Sequence, residues 1–241
     1  MNHENIVALS EVLEATGFDR GMAKKLLQQI CFRPSDFILS ERFTKESGWL
    51  TCHIYFEKEE DLYTCRYYDA SFLKAIALPD AVMQSVNVKE LDQQMDHIDW
   101  NLEEERNLVF DPANELSWRT ELQIESVITH LLKLTVSTDG KYFADYLKLK
   151  HWSGVDKLAA GNNLSSIRSK FEVSQRFYFF DGKGISVEEA YRFLLNRWLE
   201  KELNAKAKRK SESAGHPGDG SAGANDKSLP AKKRKVQKVK R

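Results

Sequence analysis

The sequence contains little cysteine and no long hydrophobic run, and each absence excludes a class of protein. Its 241 residues include three cysteines, Cys31, Cys52 and Cys65, an odd number at wide spacing and without a CxxC pair. This pattern argues against a disulfide framework and against a four-thiolate zinc site, so free, buried thiols are expected. No stretch approaches the ~18 apolar residues of a membrane helix, and no basic segment followed by an apolar one opens the chain. We therefore expect a cytoplasmic protein without a membrane partner.

Neither sign of charge dominates the whole chain, because an acidic part and a basic part cancel. The chain has 36 basic and 36 acidic residues. Residues 206–241 contain twelve basic and three acidic residues, a net charge of +9, which leaves −9 for residues 1–205. All 26 aromatic residues also lie in residues 1–205, so the C-terminal part cannot build a hydrophobic core. We predict an acidic globular body, residues 1–205, and a disordered basic tail, residues 206–241.

Hydrophobic spacing predicts several helices in the body. Apolar residues recur every three or four positions on both sides of Gly17, which predicts a helical pair that ends before Pro34. Ser186 and Glu189 have the spacing of a capping box, and the pattern behind them predicts a helix that ends near Leu203. Asp139-Gly140 is predicted to break the chain between two helices. The further amphipathic helices are predicted at 88–100, 111–136, 142–152 and 164–170.

Two segments rich in β-branched and aromatic residues predict a β-hairpin, residues 49–56 and 62–68 around a four-residue loop at 58–61. Alternation places Leu50, Cys52, Ile54 and Phe56 on a buried face, and Thr51, His53 and Tyr55 on a wetter one. A third strand is predicted at 171–180. Because the strands are few and the strongest pair is local, the pattern favours an α+β fold with a small, mainly antiparallel sheet over a doubly wound one. A domain boundary within the body near residues 101–111 stays an open alternative.

The basic tail carries the strongest functional signal in the sequence. Clustered lysines and arginines on a flexible segment neutralise phosphates and release counterions, which gives affinity without sequence readout. The tail has no aromatic residue on which bases could stack. An alternative is that the tail balances the charge of the acidic body, since opposite charges attract at low salt. The candidate nucleic-acid-binding residues are Lys206, Lys208, Arg209, Lys210, Lys232, Lys233, Arg234, Lys235, Lys238, Lys240 and Arg241.

Two parts of the chain together resemble a known group of proteins. The segments NIVALSEVLEATGFDRGMAKKLLQQI, RPSDFILSER and HIYFEKEEDLYTCRYYDA, with the later VSQRFYFFDGKGISVEEAYRFLLNRWLEKEL, resemble uncharacterised Bacteroidota proteins encoded on conjugative or other mobile elements. The resemblance covers residues 5–75 and 171–205. Its shared positions are turn and helix residues without catalytic character: Gly17, Phe18, Gly182, Gly184, Glu189, Ala190 and Tyr191. The resemblance implies a bacterial cytoplasm and a mobile-element setting, and it implies no activity.

The end of the chain has a second resemblance. Residues 230–236, PAKKRKV, resemble a monopartite nuclear-localisation signal of the type PKKKRKV. In a bacterial cell, to which the first resemblance points, basic composition alone accounts for this match. Association with the nucleoid would instead follow from binding of the tail to DNA.

For the other candidate sites, an ordinary structural role explains the residues better than a functional one. Asp92, Asp96, His97 and Asp99 have the spacing of a hard-metal site, but they equally fit the solvated face of an amphipathic helix, which we favour. His130 and His151 lack HExxH spacing. The glycines of residues 182–184 fit neither a P-loop nor a dinucleotide-binding motif, and no GxSxG sequence occurs. The sequence thus predicts no cofactor, no metal and no enzymatic activity.

The sequence therefore leads to a non-enzymatic accessory protein that is tethered to nucleic acid by its basic tail. In this hypothesis the body engages a protein partner that the sequence does not identify. The main alternative is a protein-protein interaction module whose tail is an autoinhibitory or solubilising appendage. A third alternative is an enzyme whose site is assembled from distant residues, with Asp92, Asp96 or His97 as candidates.

Overall fold

The computed structural model describes residues 3–100, 115–153, 164–180 and 182–214. Helices and strands occur mostly in separate runs along the chain, which is typical of an α+β fold. In order, the elements are α1 (His3–Thr16), α2 (Gly21–Cys31), β1 (Asp36–Lys45), β2 (Gly48–Glu59), β3 (Leu62–Lys74), β4 (Val82–Met83), β5 (Val86–Asn87), α3 (Val88–Asp96), α4 (Glu115–Leu134), α5 (Thr138–Trp152), α6 (Ser165–Phe171), β6 (Glu172–Tyr178) and α7 (Val187–Ala214).

The main sheet has four antiparallel strands in the order β1-β2-β3-β6. The predicted hairpin is confirmed as β2 and β3, although its strands are longer and its turn shorter than expected, because Glu59 pairs with Leu62. The predicted third strand is confirmed as β6, which pairs with β3 and forms the end of the strand order opposite β1. Strands β4 and β5 form a separate two-stranded sheet. The α+β fold with a small antiparallel sheet is thus confirmed.

One face of the main sheet packs against helices and forms what we call the inner core. The alternation predicted for β2 is confirmed, since Leu50, Cys52, Ile54 and Phe56 are all buried. Helices α1, α2 and α7 cover these side chains with apolar residues such as Leu26. The capping box predicted at the start of α7 is also confirmed: the Ser186 Oγ accepts from the Glu189 backbone N–H at 3.3 Å, and the Ser186 backbone N–H donates to the Glu189 carboxylate at 3.0 Å.

A second group of buried side chains, which we call the helical core, lies among α3, α4, α5 and α6. Leu73, on the opposite face of the sheet from the inner core, belongs to it, and the half-buried Trp49 packs against it. The helical core therefore covers one end of that opposite face, which we call the outer face. Within the described ranges, no helix combines the length and the hydrophobicity that a membrane span requires.

Several sequence-based boundaries differ from the structure. No strand was expected between Pro34 and Trp49, yet β1 lies there. Asp139-Gly140 does not break the chain but lies in the first turn of α5, where Ser137 caps the helix. A Cβ atom at position 140 would clash with the Leu134 carbonyl oxygen, so glycine allows a close approach there. The predicted start of α4 at Asp111-Pro112 lies outside the described residues.

The last helix is longer than predicted. Helix α7 continues to Ala214 instead of ending near Leu203. Chain contacts divide the protein into the units Met1–Lys201 and Glu202–Arg241, and of the second unit the structure describes residues 202–214, which are helical. The alternative boundary near residues 101–111 lies outside the described residues. The three cysteines are free, as predicted; Cys52 is buried and Cys65 half-buried, whereas Cys31 is exposed.

Candidate nucleic-acid interface

Part of the predicted nucleic-acid-binding segment is helical. Lys206, Lys208 and Arg209 are exposed on the last turns of α7, and Lys210 also belongs to this helix. Lys206 and Arg209, three positions apart, are neighbours on the helix surface. The other predicted residues, Lys232, Lys233, Arg234, Lys235, Lys238, Lys240 and Arg241, lie outside the described residues. The structure thus presents three residues of the first basic cluster as exposed groups on a helix.

The outer face of the main sheet carries a second surface, which sequence analysis did not identify as a site. Strand register aligns Ile38, Tyr55, Tyr67 and Tyr178 as successive cross-strand neighbours on β1, β2, β3 and β6. Ring centroids are 4.7 Å apart between Tyr55 and Tyr67, and 5.9 Å apart between Tyr67 and Tyr178. We call these four residues, three tyrosines and the aliphatic Ile38, the aromatic row. It crosses the whole sheet and leaves Ile38 and Tyr178 each 51% exposed at its two ends.

A polar row runs beside the aromatic row, two residues away from it on each strand. It consists of Ser40, His53, Asp69 and Arg176, again aligned across all four strands. The Ser40 Oγ lies 2.7 Å from the His53 Nδ1. Arg176 donates from Nε and Nη2 to the two oxygens of Asp69, both at 2.8 Å, and its guanidinium lies 3.8 Å from the centroid of the Tyr67 ring. These contacts hold the Arg176 side chain against the aromatic row.

The electrostatics of the two rows are coupled. The hydrogen bonds and charge of Asp69 raise the pKa of Arg176, which therefore stays a cation over the whole physiological range. Burial and the neighbouring Asp69 carboxylate raise the pKa of Tyr55, so its hydroxyl stays protonated. The outer face consequently places the protonated Tyr55 hydroxyl beside the ion pair of Arg176 and Asp69.

A groove of about 550 Å³ opens on this part of the outer face. Its lining adds Arg168 from α6 to polar groups of the sheet. Arg168 donates to the Glu172 carboxylate at 3.0 Å. Burial of Glu172 raises its pKa, and this effect outweighs the opposite effect of Arg168. The lining residues are His53, Tyr55, Asp69, Ser71, Arg168, Ser174, Gln175 and Arg176. The groove thus offers hydroxyl, amide, imidazole and guanidinium groups beside aromatic rings.

The acidic cluster on α3 is organised differently from its prediction. Asp92 is not on a solvated face: the Lys150 Nζ contacts its two carboxylate oxygens at 2.6 and 2.8 Å, and the His151 Nε2 lies 2.9 Å from one of them. Burial opposes ionisation of Asp92, but the hydrogen bonds from His151 and Lys150 outweigh it and lower its pKa. Asp96 remains exposed and lies 3.3 Å from the Lys150 Nζ.

The structure does not bring together the four residues that the sequence offered as an alternative hard-metal site. Asp92, Asp96 and His151 come close enough together to share an ion, whereas the His97 Nδ1 lies 2.6 Å from the Gln93 carbonyl oxygen. Asp99 is exposed beyond the end of α3. Because the Lys150 ammonium already contacts both carboxylates, the cluster has its own cation, and its arrangement is that of an ion-pair network between α3 and α5.

Sequence reasoning missed the two rows, although their signal is present in the sequence. Alternation in β2 places His53 and Tyr55 on the wetter face, and it places Arg176 and Tyr178 on one face of β6. What the sequence does not contain is the strand order and register that align these residues. Comparison with known proteins gives no further assignment: the chain matches no protein-family model, and no curated protein or solved structure is significantly similar to it. The resemblance to mobile-element proteins stays a prediction.

Proposed function

We propose that this protein is a non-enzymatic accessory protein that binds nucleic acid electrostatically through its basic C-terminal segment. The observation that carries the proposal is the position of Lys206, Lys208 and Arg209 as exposed groups on α7. Residues 206–241 have a net charge of +9, opposite to that of nucleic acid. Lysine and arginine contacts with phosphate oxygens position a protein on nucleic acid without reading its sequence.

The mechanism is the release of counterions. Each phosphate that a basic side chain neutralises releases condensed cations into solution, so the binding constant falls as salt is added. The slope of log K against log salt concentration is about −0.9 per phosphate contact on duplex DNA. The body, residues 1–205, would then bring a protein partner to the nucleic acid.

The test compares the native chain with a full-length variant in which the eleven candidate residues are replaced by uncharged glutamine, which changes the net charge of residues 206–241 from +9 to −2. We call it the neutral-tail variant. Fluorescence anisotropy of a labelled 20-base-pair duplex, titrated from about 50 to 200 mM salt, measures affinity and salt slope. We expect the neutral-tail variant to bind more weakly and with a slope smaller by several units. A slope that does not differ between the two proteins would exclude the proposal.

A matched pair of substitutions controls for general loss of positive charge. Lys206→Gln with Arg209→Gln removes two cations from the proposed site, and Lys24→Gln with Lys25→Gln removes two exposed cations from α2. We expect the first pair to reduce the slope by up to about two units and the second to leave it unchanged. Equal effects of the two pairs would mean that net charge, and not this segment, controls binding.

A second candidate function is a protein-protein interaction module, and a feature of α4 favours it. Four apolar side chains on this helix are exposed and recur on one side of it: Trp118, Leu122, Ile128 and Leu132. Exposed apolar stripes of this kind are typical of surfaces that bind other proteins. This candidate assigns an autoinhibitory or solubilising role to the tail, and it predicts that neither the native chain nor the neutral-tail variant binds nucleic acid.

A further inference from the structure

We propose that the outer face of the main sheet binds single-stranded nucleic acid, with bases stacked on the aromatic row and phosphates along the β6 side. The inference deepens the proposed function and rests on it for the biological role of the protein. The ligand of this surface is single-stranded nucleic acid, and the surface lies within residues 1–201 and does not include the basic tail.

The first argument is the geometry of the aromatic rings. Tyr55 and Tyr67 lie on the two central strands, and Tyr178 continues the same row to β6. Phe180 follows with its ring centroid 6.2 Å from that of Tyr178, and it is 73% exposed. An open antiparallel sheet with aromatic side chains is one platform on which proteins bind single strands, because each ring can stack with one base.

The second argument is that this face requires unpaired bases. The face of a base becomes available to a tyrosine ring only when the strand is single and the base can leave its stack. In a duplex, both faces of each base are covered by neighbouring bases, and only the phosphates and the groove edges can be reached. The aromatic row therefore distinguishes single strands from duplexes, which the basic tail does not.

The third argument is charge complementarity along β6. Among the described residues, four cations border this strand, and the carboxylates that form ion pairs with them are Asp69 and Glu172. The Arg197 Nη1 donates to the Gln175 Oε1 at 2.8 Å, and the Lys201 Nζ donates to the Glu172 carbonyl oxygen at 3.3 Å. The four cations are Arg168, Arg176, Arg197 and Lys201. This excess of positive charge would attract the phosphates of a strand whose bases lie on the aromatic row.

The groove supplies the remaining interactions. A guanidinium has five N–H donors, and the ion pairs of Arg168 and Arg176 use only some of them. Ser71 and Ser174 add hydroxyl groups that can donate to and accept from base edges. Because these groups lie beside rings that stack on any base, we expect modest sequence preference and strong preference for single strands.

The test is a titration of labelled twelve-nucleotide strands, dT12 and U12, and of a twelve-base-pair duplex, with full-length protein. Two double variants are made in both the native and the neutral-tail backgrounds. The alanine pair, Tyr55→Ala with Tyr178→Ala, removes two rings. The phenylalanine pair, Tyr55→Phe with Tyr178→Phe, keeps the rings but removes the hydroxyls. We expect the alanine pair to raise the Kd for at least one single strand about tenfold or more, and the phenylalanine pair to leave it within about twofold.

Tyr142→Ala is the matched control, because Tyr142 on α5 is 45% exposed and lies outside the aromatic row. It should leave the Kd unchanged, and thermal unfolding should show that all variants fold. Arg197→Gln should lower the salt slope on single strands by about 0.7. If the alanine and phenylalanine variants bind equally well, or if the neutral-tail protein binds no single strand, the inference is wrong, whether or not the tail binds. If the tyrosines matter and the tail does not, the inference holds and the proposed function of the tail is wrong.

Discussion

At the scale of single residues, Asp92 shows how much of a charged cluster can be predicted from the spacing of residues in the sequence. Asp92 and Asp96 are four residues apart, so the sequence places them on the same side of a helix. Their partner His151 is 59 residues from Asp92. The packing of α3 against α5 creates this pair, and a single sequence contains no signal for it. The prediction of two adjacent carboxylates was therefore correct, whereas the solvated environment predicted for Asp92 was wrong.

Removal of the Asp92 charge should destabilise the protein. In Asp92→Asn, the half-buried Lys150 loses its main carboxylate partner, and hydrogen bonds to charged groups contribute about 1.5–3 kcal/mol each. We expect the free energy of unfolding at pH 6 to fall by about 2 kcal/mol, measured by urea denaturation. Glu125→Gln removes an exposed carboxylate of α4 and should change it by less than about 0.5 kcal/mol.

The pH dependence gives this prediction a second readout. A carboxyl group whose pKa is lower in the folded than in the unfolded state stabilises the fold at pH values above its unfolded pKa. This stabilisation decreases as the pH falls through the folded pKa, below the ordinary value of about 3.9. The difference between native protein and Asp92→Asn should thus be complete above about pH 5 and smaller at pH 3. An equal difference at both pH values would contradict the role given to the Asp92 charge.

At the scale of elements, the sequence predicts those whose pattern is local and regular. Alternation identified β2 because each inward side chain from Leu50 to Phe56 is buried. Strand β1 alternates in burial, but its sequence does not alternate between apolar and polar residues: residues 37–39 are all apolar, and the polar Glu41 takes an inward position, so the pattern escaped prediction. The outer face depends on how β1, β2, β3 and β6 align, so its two rows became visible only in the folded sheet.

The start of α7 depends on its capping box. The Ser186 hydroxyl donates to the Glu189 carboxylate at 2.7 Å, in addition to the two backbone contacts of the box. These bonds lower the pKa of Glu189 and satisfy N–H groups that have no partner within the helix. We expect Ser186→Ala to lower the midpoint of thermal unfolding by about 2–4 °C, as measured by circular dichroism.

Ser169→Ala, at an exposed position of α6, is the control for this cap, and we expect a change of less than about 1 °C. Because Val187, Ala190 and Leu194 of the same helix are buried in the inner core, a weaker helix start also loosens this packing. A Ser186→Ala protein with an unchanged midpoint would show that burial alone fixes the start of α7.

At the scale of residues 1–201, the inner core and the helical core share the main sheet. Strand β3 links them directly, since Phe72 belongs to the inner core and the next residue, Leu73, to the helical core. Helix α6 and β6 form a second link, because Phe171 ends the helix in the helical core and Phe177 contributes to the inner core. Neither core can lose its packing without disturbing strands on which the other depends.

This arrangement predicts that the two cores unfold together. Leu26→Ala opens a cavity in the inner core and Leu131→Ala one in the helical core, and each should lower the free energy of unfolding by about 2–5 kcal/mol. With Trp198→Phe as the common background, tryptophan fluorescence no longer reports on the inner core, while circular dichroism reports on the whole chain. Either cavity should shift the urea transitions of both probes equally, because the shared strands couple the cores. If Leu131→Ala moves the fluorescence transition while the circular dichroism transition splits in two, the cores are separate folding units that meet only at the sheet.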